Sequence, residues 1–197
     1  MTVSRWFFGY GSLVNEQTLP EGTAWQTVTV RGWRRCWGHT IVRDPAWFAL
    51  SLIPDPDAEV DGLLIREDTS LAPVLVQRES GYSPHPLSLG DLSVALPDGD
   101  TAWVWLSDHP ADPDTPGCLL QSYVDCVMAG FLRHFDAAGL DRFMATTDGW
   151  ANPVIADRGA PRYPRAVELA ADTRHAVDRR VATAQRQARA RGEHARA

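Results

Sequence analysis

Phe7-Phe8-Gly9-Tyr10-Gly11-Ser12-Leu13 is the stretch on which the reading of this chain turns. Residues 3–8 are rich in aromatic and apolar side chains, the composition of a buried strand. The two glycines around Tyr10 then let the backbone bend, or come close to something bound. The stretch reads as a strand running into a glycine-rich turn, and successive backbone N–H groups in such a turn can hold a carboxylate or a developing oxyanion. Gly9 and Gly11 satisfy the first half of a G-x-G-x-x-G dinucleotide fingerprint, but Val14 stands where the third glycine belongs. A tight turn after an edge strand is the plainer alternative.

Working outward, two more stretches stand out: Gly32-Trp33-Arg34-Arg35, and Leu75-Val76-Gln77-Arg78-Glu79-Ser80-Gly81-Tyr82. Taken with residues 8–13, they resemble in order and spacing three segments of the gamma-glutamylcyclotransferase superfamily: F-G-Y-G-S-L, G-W-x-R and L-x-x-R-E-x-G-Y. The similarity is closest to the ChaC-like branch, although Val42-Arg43-Asp44-Pro45-Ala46-Trp47 replaces the R-G-T-P-like form of that branch. Val60-Asp61-Gly62-Leu63-Leu64-Ile65 is similar to a further family strand, v-x-G-x-x-y.

The resemblance implies an α+β fold, a small mixed β-barrel with flanking helices. It also implies a reaction in which the α-amine of a γ-glutamyl group attacks its own γ-carbonyl and releases 5-oxoproline. Glu79 stands at the position of the family's catalytic acid/base. The backbone of Tyr10, Gly11, Ser12 and Leu13 would hold the substrate, with Tyr82 either hydrogen-bonding to it or packing. The substrate would be a γ-glutamyl amino acid, a γ-glutamyl amine or glutathione. No cofactor and no metal is expected, and the six histidines show no ligand spacing. The alternative is a non-catalytic small-molecule-binding module of the same fold. An amidase using Ser12 is a third reading, but Ser12 has no evident base partner and lies outside a G-x-S-x-G motif.

Composition sets the outer bounds. With 197 residues, 44% of them hydrophobic, the chain suits one domain with a real core. A net charge of −6 argues against a general nucleic-acid surface. No run of about 18 apolar residues suggests a membrane span, and no signal peptide is evident at the N-terminus. Cys36, Cys118 and Cys126 form an odd, sparse set, which fits reduced thiols and a cytoplasmic location. Cys118 and Cys126 are expected on one helix. All 19 basic residues are arginine, so a Schiff-base or P-loop lysine is excluded.

Residues 1–165 are expected to form the domain, and residues 166–197 an Arg/Ala-rich C-terminal helix or tail that is solvated. Strands are expected at 27–33, 48–53, 60–65, 86–94 and 101–106, with Pro54-Asp55-Pro56-Asp57 as a turn. Trp33, Trp37, Trp47 and Phe48 read as core. Leu120, Val124, Val127, Phe131 and Phe135 recur at helical spacing, with Thr115-Pro116 as the cap and Gly139 as the stop. Arg34 or Arg35 is either a surface charge or a partner for a substrate carboxylate. Arg158 and Arg165 lie in an Arg- and Pro-rich segment suited to a second carboxylate.

Overall fold

The computed structural model describes residues 3–41, 46–67, 71–111 and 117–193. The expected cap at Thr115-Pro116 and the departure from the ChaC-like form at 42–45 lie outside these residues. In chain order the elements are β1 (Arg5–Gly9), β2 (Trp25–Ile41), β3 (Trp47–Arg66), α1 (Leu71–Arg78), β4 (Tyr82–Leu87), β5 (Thr101–Ser107), β6 (Leu119–Leu120), α2 (Gln121–Ala145), β7 (Thr147–Asp148), β8 (Val154–Ile155) and α3 (Ala171–Ala190).

Six strands form one mixed sheet in the order β4-β5-β1-β3-β2-β7, and β6 pairs with β8 beside it. β1 lies in the interior, antiparallel to β3 and parallel to β5. This position follows from its side chains, since Phe7 and Phe8 are almost wholly buried. Each such side chain contributes about 1.5–3 kcal/mol.

The α+β class is as expected, but the sheet does not close into a barrel. β4 carries Pro84 and Pro86, which have no N–H to offer a further strand, and β7, at the other edge, is two residues long. Isolated bridges from Val30 to Leu92 and from His39 to Pro110 draw β2 toward the far side without completing a ladder.

The β2–β3 hairpin also differs from expectation. Pro54-Asp55-Pro56-Asp57 does not end a strand: β3 runs through it, and the pairing jumps from Arg31 with Glu59 to Trp33 with Pro54. Residues 55–58 therefore bulge opposite Gly32, whose φ of 86° a side chain would resist. β4 starts at Tyr82 and ends at Leu87, earlier than residues 86–94 suggested.

α2 begins at Gln121 and continues past Gly139. The interruption falls at Asp136, with φ 58° and ψ −163°. Its carboxylate accepts the N–H groups of Ala138 and Gly139 at 2.7 and 3.1 Å and so restarts the helix. The expected stripe packs inward, with Leu120, Val124, Val127 and Phe131 buried. Trp37, Trp47 and Phe48 are buried as well.

Only one face of the Arg/Ala-rich stretch is solvated. α3 packs on α2 and buries Val177, Val181 and Ala188, while Arg180 binds Asp141 at 2.6 Å. Cys36, Cys118 and Cys126 form no disulfide, and Cys118 precedes α2 rather than sharing it with Cys126. Among the described residues no helix is long and apolar enough to cross a membrane.

One close approach holds β3 against the end of β1. A Cβ on Gly62 would lie 2.4 Å from both the Gly9 carbonyl oxygen and the Phe8 ring. Gly62→Ala is therefore expected to lower stability by about 1–3 kcal/mol in urea unfolding. Gly159→Ala, whose Cβ meets open space, should change it by less than about 0.5 kcal/mol. Equal effects would contradict this account of the packing.

Candidate active site

The turn after β1 is fastened from three sides. The Tyr10 carbonyl accepts a hydrogen bond from Arg35 Nε at 2.9 Å, and the Tyr10 hydroxyl donates to the Trp105 carbonyl at 2.7 Å. Ser12 Oγ accepts from Arg78 Nη2 at 3.0 Å. Residues 12–14 form a single 3-10 turn closed by Val14 N–H on the Gly11 carbonyl at 3.0 Å. Among the described residues the N–H groups of Gly11, Ser12 and Leu13 donate to no protein acceptor.

Both glycines of the turn keep negative φ, so their value is space. A Cβ on Gly9 would fall 2.6 Å from Leu13 Cβ, and one on Gly11 3.1 Å from the Tyr123 hydroxyl.

Glu79 is the residue directly after α1. Its N–H bonds to the Leu75 carbonyl at 2.8 Å, and its carbonyl accepts from Tyr82 N–H at 2.9 Å. Gly81, with φ 90°, turns the chain from the helix into β4. A Cβ there would also stand 3.1 Å from the His39 ring.

These pieces meet in one cavity of about 650 Å³ lined by Tyr10, Gly11, Ser12, Leu13, Glu79 and Tyr82, all of them residues the sequence marked. The rest of its wall includes Trp47, Arg78, Tyr123, Arg162, Tyr163 and Arg165. The Glu79 side chain is 13% exposed, and its Oε1 lies 3.7 Å from Arg78 Nε. Burial pushes its carboxyl above the ordinary range, against the opposing charges of Arg78 and Arg165.

The tyrosines divide into two kinds. Tyr82 donates to the Leu50 carbonyl at 2.8 Å and stacks on His39, so it offers the cavity a ring. Tyr10 is similarly engaged. The Tyr123 hydroxyl accepts from Leu50 N–H at 3.4 Å and donates to nothing described, and among the described residues the Tyr163 hydroxyl makes no hydrogen bond of good geometry. The two rings meet edge-on at 4.9 Å.

The arginines sort differently from their sequence positions. Arg34 lies outside this cavity, on Asp55 and Asp148. Arg35 is fully buried, and burial lowers its proton affinity to about 9. Arg158 is clamped by Asp125 and Asp178, each at 2.6 Å, and also lies outside. Arg165 does line the cavity.

Sequence reading missed Arg78, Tyr123 and Tyr163 as members of this wall. Arg78 stood inside a quoted motif and Tyr163 in the Arg- and Pro-rich segment between Arg158 and Arg165, while Tyr123 fell outside the apolar stripe of α2. Ser12 meets a guanidinium and no base. Among the described residues no three His, Cys, Asp or Glu are grouped to hold a metal ion.

In comparisons with known proteins, no family model matches the chain, and no curated protein matches it significantly in sequence. Solved structures do. A gamma-glutamyl cyclotransferase is similar with a TM-score of 0.56 at 14% identity, over 89% of this chain and 99% of that one. An uncharacterized protein from Homo sapiens is similar with a TM-score of 0.56 at 14% identity, over 90% and 99%. YkqA from Bacillus subtilis is similar with a TM-score of 0.54 at 15% identity, over 73% of this chain and 54% of YkqA. The chain has the gamma-glutamylcyclotransferase-like fold.

The environment of Glu79 has a measurable consequence. Its proton is held more tightly in the folded chain than in the unfolded one. That contribution is complete at low pH and is lost as pH rises through the folded value. Glu79→Gln should therefore raise the unfolding midpoint at about pH 8, and the gap should close below about pH 4. A gap that widens in acid would contradict the assigned environment.

Proposed function

We propose that this chain is an intramolecular cyclotransferase of the gamma-glutamylcyclotransferase superfamily, nearest its ChaC-like branch, releasing 5-oxoproline from a γ-glutamyl compound in the cytoplasm. The observation that carries the reading is one cavity joining a buried carboxyl of raised proton affinity to a turn with three unused N–H donors. The shared fold supports it, and three cysteines outside any disulfide fit a reducing compartment.

The chemistry asks little of the protein. The nucleophile is tethered to its target, and a well-aligned intramolecular attack can be worth about 7–11 kcal/mol. The N–H groups of Gly11, Ser12 and Leu13 bind the substrate's α-carboxylate, which orients the neighbouring α-amine toward Glu79.

Glu79 accepts a proton from the α-ammonium, and the neutral nitrogen then bonds to the γ-carbon. The nitrogen, cationic once bonded, gives up a second proton, and the bond from that carbon to the leaving nitrogen breaks as Glu79 passes the two protons in turn to the departing amine, which leaves as its ammonium. No further reactant is consumed. Burial suits Glu79 to both transfers, because a carboxyl with raised affinity can take a proton and give it back near neutral pH. The Tyr123 hydroxyl is free to donate to the γ-oxygen as charge develops there.

The test is 5-oxoproline release from a panel of γ-glutamyl compounds, with wild type and Glu79→Gln side by side. Wild type should release it, and the variant should lose about a hundredfold or more while staying folded. Activity should also fall as pH drops through the raised value of Glu79. Undiminished release by Glu79→Gln, or a profile without an acid limb, would contradict the role; no release from any compound would favour the binding-module alternative.

A further inference from the structure

Among the described residues the cavity wall carries the guanidinium groups of Arg78, Arg162 and Arg165 and one carboxylate, that of Glu79, and Arg162 has a partner of its own. The γ-glutamyl group brings one anion and one cation of its own, so it does not use this surplus.

Arg78 is engaged elsewhere. It bonds to Ser12 Oγ and to the carbonyl and hydroxyl of Thr18, and it stands beside Glu79. Arg165 is different: among the described residues it makes no hydrogen bond and no ion pair. It lines the cavity, and its charge is felt at Glu79, Cys126 and Tyr163.

Nor does Arg165 hang on a loose segment. Asp157 accepts from Ser122 N–H and Oγ–H at 2.7 and 2.6 Å, and from Arg162 N–H at 3.0 Å. Tyr163 N–H bonds to Ser122 Oγ, and Ala166 N–H closes a turn on the Tyr163 carbonyl at 3.2 Å. Pro164 and Arg165 are the two central residues of that turn, and proline in the first of these places stiffens it. The segment therefore presents a half-buried, unneutralised guanidinium at a fixed place on the wall.

From this we infer that Arg165 binds a carboxylate on the leaving group, so that the substrates are γ-glutamyl amino acids or peptides rather than γ-glutamyl amines. The inference rests on the cyclotransferase reading above. Among the described residues the one carboxylate of the wall, that of Glu79, makes its ion pair with Arg78, at 3.7 Å from Nε, and none with Arg165. A planar guanidinium also matches a carboxylate with two parallel hydrogen bonds.

The experiment compares kcat/KM for 5-oxoproline release from γ-glutamyl-alanine and γ-glutamyl-ethylamine, whose leaving groups differ by that carboxylate. Wild type should prefer γ-glutamyl-alanine by about tenfold to a hundredfold. Arg165→Gln should lower the γ-glutamyl-alanine value and bring the ratio of the two substrates to within about twofold. Arg165→Lys, which keeps the charge without the fork, should fall between them.

A wild-type ratio near one would overturn the inference while leaving the cyclotransferase reading in place. So would an Arg165→Gln or Arg165→Lys variant that lowers both substrates alike, since Arg165 would then serve the γ-glutamyl group or the fold. No release from either substrate by wild type would overturn the reading and the inference together.

Discussion

A guanidinium cut off from water ties this molecule together. Arg35, in the middle of the long β2 strand, is fully buried, and its hydrogen bonds go to neutral oxygens: the Tyr10 carbonyl, the Asp61 carbonyl and the Thr146 hydroxyl. The rings of Phe131 and Phe143 lie 4.7 and 5.3 Å from its carbon. Burying a cation is costly unless its donors are matched, and here the backbone of the first turn, β3 and the end of α2 must all be in place to match them. Aromatic faces offset part of the remainder. The carboxylate of Asp61, whose charge reaches Arg35, is itself held by Thr29 and Arg142.

The consequence for the cavity is direct. The Tyr10 carbonyl bonded by Arg35 lies on the residue just before Gly11, whose N–H opens the run of unused donors. Arg78 secures the other side of the same turn through Ser12 while standing beside Glu79. One buried arginine thus joins the turn to the core, and another joins it to the proposed acid/base. The cavity keeps its unused donors because the residues carrying them are immobilised by bonds made elsewhere in their own structure. That is preorganisation, and it lets a site aim dipoles at a developing charge without reorganising during the reaction.

Local chemistry in the sequence was readable where a short pattern settles the outcome. Phe7 and Phe8 before a glycine turn, the strand expected at 101–106 that forms β5, and the stripe from Leu120 to Phe135, partly buried at its last residue, all formed as their patterns suggested. Glu79, Tyr82 and the first turn could be marked from motifs, and the structure gathers them around one cavity. What escaped depends on distant partners. The sheet stays open because of prolines in β4, whose edge position only the assembled sheet reveals. Pro54-Asp55-Pro56-Asp57 reads as a turn in isolation, yet the β2 ladder carries it as a bulge. Arg35 looks like a surface residue until Phe131 and Phe143, about a hundred positions on, close over it. Arg158 and Arg165 are alike in sequence, and only the placement of Asp125 and Asp178 separates the clamped one from the one on the cavity wall.

The central claim is that Glu79 and the first turn grip the two ends of one amino acid. The measurement that tests it most directly is a crystal structure of Glu79→Gln with intact γ-glutamyl-alanine. The account predicts the substrate α-carboxylate on the N–H groups of Gly11, Ser12 and Leu13, with the α-nitrogen within about 3 Å of the side-chain amide that replaces the Glu79 carboxyl. A substrate bound with its α-nitrogen far from that position, or bound outside this cavity, would contradict it.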